Sequence, residues 1–136
     1  MVEDIKCMCD DELILPKGSW GVHVSMDCKA GNSNVKSYTA IKAFCEDLIE
    51  KIGMEAYGNC DIVHFGKPHA SGYTLSQLIT TSNICAHFVD ATGDFYLDVF
   101  SCKNVDEEVV KAVVYKWFSP EKVVSKCIIR GLWGDS

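Results

Sequence analysis

Three absences narrow the field before any motif is sought. Nowhere in the 136 residues is there an apolar run approaching the roughly 20 residues that a membrane helix requires, so a spanning protein is not expected. Positive charge is scarce: 13 Lys and Arg stand against 19 Asp and Glu, a net charge of -6. Binding to nucleic acid or to an anionic membrane needs a basic face to neutralise phosphates, so neither is an expected partner, and a small cationic substrate fits better. The third absence is any C-x-x-C pair among the eight cysteines at 7, 9, 28, 45, 60, 85, 102 and 127, which argues against a zinc knuckle and leaves no metal site to expect. Most of these thiols read as buried. Cys7 and Cys9 form a lone C-x-C beside Asp10 and Asp11, compatible with a metal or redox role or with a frayed terminus. The opening MVEDIKCMCDDE is acidic where a signal peptide is basic and then apolar, so a cytoplasmic location is expected.

What is present is one core. Hydrophobic residues make up 48% of the chain, enough to bury one domain of this length and too few residues for two, so residues 1–136 read as a single domain. No repeat, low-complexity tract or linker interrupts it. Residues 1–17 show no periodicity and read as an arm or an edge element. From Trp20 the chain alternates, with Trp20, Val22, Val24 and Met26 on one side and Gly21, His23, Ser25 and Asp27 on the other, the pattern of a half-buried strand. After the loop Lys29 to Asn34, apolar residues from Ile41 to Ile52 recur at helical spacing until Gly53.

Strands are predicted at Ala56–Phe65, Tyr73–Ile79, Ile84–Val89 and Phe95–Ser101, the last two joined as a hairpin by Thr92, Gly93 and Asp94. A second amphipathic helix carries Val109, Val110, Val113, Val114, Trp117 and Phe118 and exits at Pro120, and Val123–Ile129 supplies a final strand. This order predicts an α+β, two-layer sandwich: a mostly antiparallel sheet with two helices on one face. The other face is left uncovered, and if it is apolar a homodimer pairing sheet to sheet is the simple solution.

Chemistry concentrates in TTSNICAHFVDATGDFYLDVFSC, residues 80–102. Ser82 lies at a strand edge, His87 five positions on, and Cys102 at the end of the partner strand, so a hairpin turning near Thr92 to Asp94 sets a nucleophile, a base and an acid on adjoining elements. His23, His64 and His69 have no mutual spacing that suggests a ligand set and read as structural or exposed.

LITTSNICAH and YLDVFSC resemble the short bacterial and archaeal S-adenosylmethionine decarboxylases, in which a hydrophobic strand leads to a serine, a histidine follows five residues later, and a further strand ends in phenylalanine, a small hydroxyl residue and cysteine. The likeness extends over roughly residues 18–131. It implies a proenzyme of polyamine (spermidine) synthesis that cuts itself between residues 81 and 82: the Ser82 oxygen attacks the preceding carbonyl, and the ester loses its acyl group by β-elimination. A pyruvoyl cofactor derived from Ser82 then caps the new chain, and its ketone takes the substrate's amine as a Schiff base. In that scheme His87 is the base for the Cα proton and Cys102 the acid that reprotonates the carbanion, a role a thiol of ordinary acidity can fill because it keeps its proton at pH 7. Thr74 and Ser76 are both candidates for the hydroxyl that holds the oxyanion during cleavage.

Two positions depart from the family pattern. Thr81 stands where a glutamate usually precedes the serine, and its β-branch works against the acyl shift. After the histidine the family carries Thr-Trp-Pro-Glu, while this chain reads Phe88, Val89, Asp90, Ala91. Phe88, for stacking on a base, and Asp90, displaced by one residue from the ribose-binding carboxylate, are the substrate-binding candidates. These departures keep open a pyruvoyl-dependent arginine or ornithine decarboxylase, and an unprocessed, non-catalytic homologue acting as a binding or partner subunit.

Overall fold

The computed structural model describes the backbone of residues 3–5 and, with side chains, residues 15–133. Cys7, Cys9, Asp10 and Asp11 lie outside the described residues. Alternation and period decide the elements. Strand β2 (Gly21–Lys29) buries Val22, Val24, Met26 and Cys28 and turns His23, Ser25 and Asp27 the other way. Helix α1 (Tyr38–Lys51) starts where the Ser37 hydroxyl accepts from the Ala40 amide at 3.2 Å, and the chain leaves it through Gly53 at φ +70°. Helix α2 (Glu107–Phe118) is capped by Asp106, which accepts from the Glu108 amide at 2.9 Å; it carries acids in its first turn and Lys116 in its last, matching the helix dipole. It ends at Ser119 in the left-handed region, with Pro120 next.

The remaining strands are β1 (Glu3–Ile5), β3 (Ala56–Phe65), β4 (Gly72–Ile79), β5 (Ser82–Phe88), β6 (Phe95–Ser101) and β7 (Lys122–Arg130). Among the described residues they form one seven-stranded sheet in the order β1-β7-β2-β6-β5-β4-β3. Every pairing is antiparallel except β1 with β7, so the mostly antiparallel sheet and the edge element near the start of the chain are both found. Both helices lie on one face. Phe44, Phe88, Phe95 and Phe118 meet there with ring centroids 4.9–5.2 Å apart, tying the two helices to β5 and β6. Each such side chain contributes roughly 1.5–3 kcal/mol by leaving water.

One boundary differs from expectation with consequences for the site: β5 begins at Ser82, not at Ile84. A two-residue turn, Thr80–Thr81, therefore joins β4 to β5 and pairs Ile79 with Ser82. At the other end of β4, Gly72 runs so close to the neighbouring strand that any Cβ would collide with the Phe88 carbonyl.

Among the described residues, no helix lies on the second face of the sheet. Tyr57, Val63, Phe65, Leu78, Tyr96 and Ile128, all 45–70% exposed, alternate onto it, around a polar centre of Ser25, Ser76, Cys85 and Asp98.

Candidate active site

The site is built on the Thr80–Thr81 turn. A two-residue hairpin requires positive φ, and here the residue that adopts it is Thr81, at φ +55°. For a β-branched residue this is a sparsely populated conformation costing on the order of 1–3 kcal/mol, held only because the flanking strands fix it. The Thr80 amide donates to the Glu55 carbonyl at 3.1 Å, anchoring the turn to the α1–β3 connection.

Ser82 follows with its side chain on the helix side of the sheet, 7% exposed. Its hydroxyl accepts from the Cys102 amide at 2.9 Å, so the end of β6 delivers Cys102 directly to the proposed cleavage point. The Cys102 sulfur lies 2.7 Å from the Thr81 hydroxyl and 3.9 Å from the Thr80 carbonyl, and the Thr81 hydroxyl in turn donates to that carbonyl at 2.7 Å. The hydrogen bond with the Thr81 hydroxyl holds the Cys102 thiol below its ordinary pKa, against partial desolvation, with Ser82, the Cys102 amide and Lys103 adding in the same direction. Cys102 is thus a more acidic thiol than the sequence alone implied. Gly53, Met54, Glu55, Thr80, Thr81, Cys102 and Lys103 line a cleft of about 300 Å³ over the turn. A larger one, about 370 Å³, opens between Asp27, Lys29, Asp94 and Lys122, and none of the site residues lines it.

His87 does not join this group within the chain. Five residues along a strand place it on the opposite face from Ser82 and about 16 Å further on. The expected cluster of three is therefore corrected to a pair, Ser82 with Cys102. His87 forms a second group with Thr74, whose hydroxyl lies 2.7 Å from Nδ1, while Nε2 lies 2.9 Å from the Ala70 carbonyl. A carbonyl only accepts, so Nε2 carries the proton and, in the neutral ring, Nδ1 accepts from Thr74. By register Thr74 pairs with His87, whereas Ser76 is exposed opposite Cys85.

Of the two substrate-binding candidates, Phe88 is corrected. Phe88 is fully buried, stacked on Phe95 in the core, because it shares the parity of Ser82, Ile84 and Ala86. Asp90 accepts from His64 Nε2 at 2.7 Å beyond the far end of β5 and does not reach the Ser82 turn. His23 is likewise occupied, 2.8 Å from Asp98. Of the six described cysteines only Cys28, Cys45 and Cys127 are buried, fewer than expected. Sequence reasoning missed Glu55 and Lys103. Gly53 flagged the end of α1, but nothing in the sequence indicates that the residues after it reach the β4–β5 turn.

The family model for S-adenosylmethionine decarboxylase matches residues 22–131. The chain belongs to that family. Among solved structures, the adenosylmethionine decarboxylase from Aquifex aeolicus VF5 superposes with a TM-score of 0.73 at 15% identity, over 87% of this chain and 96% of that one. At that identity the likeness establishes the α+β sandwich fold. No curated protein matches by sequence. S-adenosylmethionine decarboxylases are lyases, and the family match spans both Ser82 with Cys102 and Thr74 with His87. Among the described residues no helix is long and apolar enough to cross a membrane, and no group of three or more His, Cys, Asp or Glu is placed to hold a metal ion.

Proposed function

We propose that this chain is a self-processing S-adenosylmethionine decarboxylase of polyamine synthesis. The observation that carries the reading is the contact of Ser82 with Cys102 at a turn whose scissile residue, Thr81, is held at φ +55°. Ser82 Oγ attacks the Thr81 carbonyl and the amide nitrogen leaves it, giving an ester. A base takes the Ser82 Cα proton, the Thr81 carboxylate departs, and hydrolysis with loss of ammonia leaves a pyruvoyl group on residue 82. The residues present fit that group: Thr81, whose carbonyl is attacked, is held in a sparsely populated conformation, and Cys102 lies against the turn where it can give a proton. When formed, the group supplies the electron sink for decarboxylation.

A base is needed at Ser82, and the same chain's His87 is about 16 Å away along β5. We infer that the active form is a homodimer paired through the uncovered sheet face, so that the Thr74–His87 pair of a second copy faces the Ser82 turn. The exposed Tyr57, Val63, Phe65, Leu78, Tyr96 and Ile128 support burial of that face. Co-expressing a Ser82→Ala chain with a His87→Ala chain tests it. Cleavage of the His87→Ala chain only in the mixture is expected; cleavage of that chain on its own contradicts a shared site.

A second substrate reading rests on Phe88 in the core and Asp90 held by His64, which leave the family's usual adenosyl and ribose contacts unfilled. Arginine or ornithine is then the substrate of the same chemistry. Carbon dioxide release from labelled S-adenosylmethionine, arginine and ornithine decides, and turnover of only the latter two overturns the first assignment. The non-catalytic reading is tested by whether the chain cleaves at all.

A further inference from the structure

The position immediately before the serine carries a function of its own in this chain. Thr81 points its hydroxyl at the Cys102 sulfur, 2.7 Å away, and at the Thr80 carbonyl, also 2.7 Å away, so one side chain spans the thiol and the backbone of the turn. Positive φ at Thr81 is what aims it there. A glutamate in that place, the usual family residue, would set a carboxylate against the sulfur instead of a hydroxyl. The two have opposite effects: the hydroxyl accepts from the neutral thiol and, when the sulfur ionises, turns its one proton from the Thr80 carbonyl to the thiolate and favours that form, while a carboxylate repels it.

The geometry points to Thr81 as a positioning residue for Cys102, its hydroxyl holding the sulfur against the scissile turn. The functional meaning rests on the reading of Cys102 as the acid of the proposed decarboxylase, but the contact itself belongs to the uncut chain. Other groups around the sulfur are few. Ser82 and the Cys102 amide act through hydrogen bonds, Lys103 follows in sequence, and Glu55 lines the same cleft from the α1–β3 connection. None of them bridges the sulfur to the residue whose carbonyl is cut.

The test is the pH profile of Cys102 alkylation by iodoacetamide, located by peptide mass spectrometry in full-length protein carrying Ser82→Ala so that every chain stays intact. Free N-acetylcysteine alkylated under the same conditions serves as the control, and thermal melting verifies folding. Thr81→Ser keeps the hydroxyl and should keep the profile. Thr81→Val keeps the branched shape without the hydroxyl and should move the profile upward, slowing alkylation at pH 7 by about threefold to tenfold. Thr81→Glu should slow it further. Equal profiles for the Ser and Val variants overturn the proposal, as does a Ser variant that shifts as far as Val. If the wild-type chain never cleaves while the Ser and Val profiles separate, the decarboxylase reading falls and the role of Thr81 stands; cleavage with equal profiles has the reverse meaning.

Discussion

The two hairpin turns that flank β5 solve the same geometric problem with different residues. The β5–β6 turn places Gly93 at φ +78°, backed by the Thr92 hydroxyl accepting from the Asp94 amide at 3.1 Å. Glycine meets that conformation without a Cβ clash. The β4–β5 turn places Thr81 at φ +55°, where a β-branched side chain is strained. A chain selected only for stability would use glycine in both. Strain is kept at the turn where Ser82 and Cys102 meet and relieved at the turn where no chemistry is assigned.

Breaking the chemistry outright gives the largest effect. Ser82→Ala should abolish cleavage completely while leaving the melting temperature close to that of an uncut wild-type chain, as read by intact mass and calorimetry. Next comes the contrast between the turns. Thr81→Gly should raise stability by about 1 kcal/mol and slow cleavage about tenfold, because the strain it removes also favours rupture of the 81–82 bond. Gly93→Val should instead destabilise by about 2 kcal/mol, since its Cβ would lie 2.9 Å from the Gly31 carbonyl, with no change in the cleavage rate of the molecules that fold. Chemical denaturation and gel-based cleavage kinetics read both effects. If Thr81→Gly cleaves as fast as wild type, the link between strain and processing is broken.

The smallest effect belongs to the helix layer, away from both turns. Asp47 accepts from Lys51, Lys116 and the Trp117 indole, and these donors hold its carboxyl well below the usual carboxylate range. A depressed folded-state pKa adds stability that is present above the unfolded value, about 4, and is lost as pH falls through the folded one. Asp47→Asn should therefore cost about 1 kcal/mol at pH 7, the difference from wild type should shrink below about pH 4, and cleavage should be unaffected. A change in cleavage would mean that the helix layer participates in the site.

Much of this was legible in the sequence for local reasons. The helical periods from Ile41 and Val109, the stop at Gly53 and the Thr92–Asp94 hairpin are short-range signals, and β3 and β6 fall where composition placed them. The site was less legible because it depends on parity and register. Serine and histidine five residues apart on a strand must face opposite ways, whatever the motif. Had β5 begun at Ile84, a four-residue turn would have paired Ser76 with His87; starting at Ser82, the two-residue turn pairs Thr74 instead. Phe88 illustrates the same rule, since its even spacing from Ser82 commits it to the core. Glu55 and Lys103 were invisible because only tertiary packing brings them to the cleft.

The central claim is that the 81–82 bond breaks by the chain's own chemistry, and intact-mass spectrometry of the purified wild-type protein tests it most directly. Two fragments, residues 1–81 and a pyruvoyl-capped 82–136, are the predicted result. A single uncut chain that persists on incubation, with Ser82 intact, would contradict it.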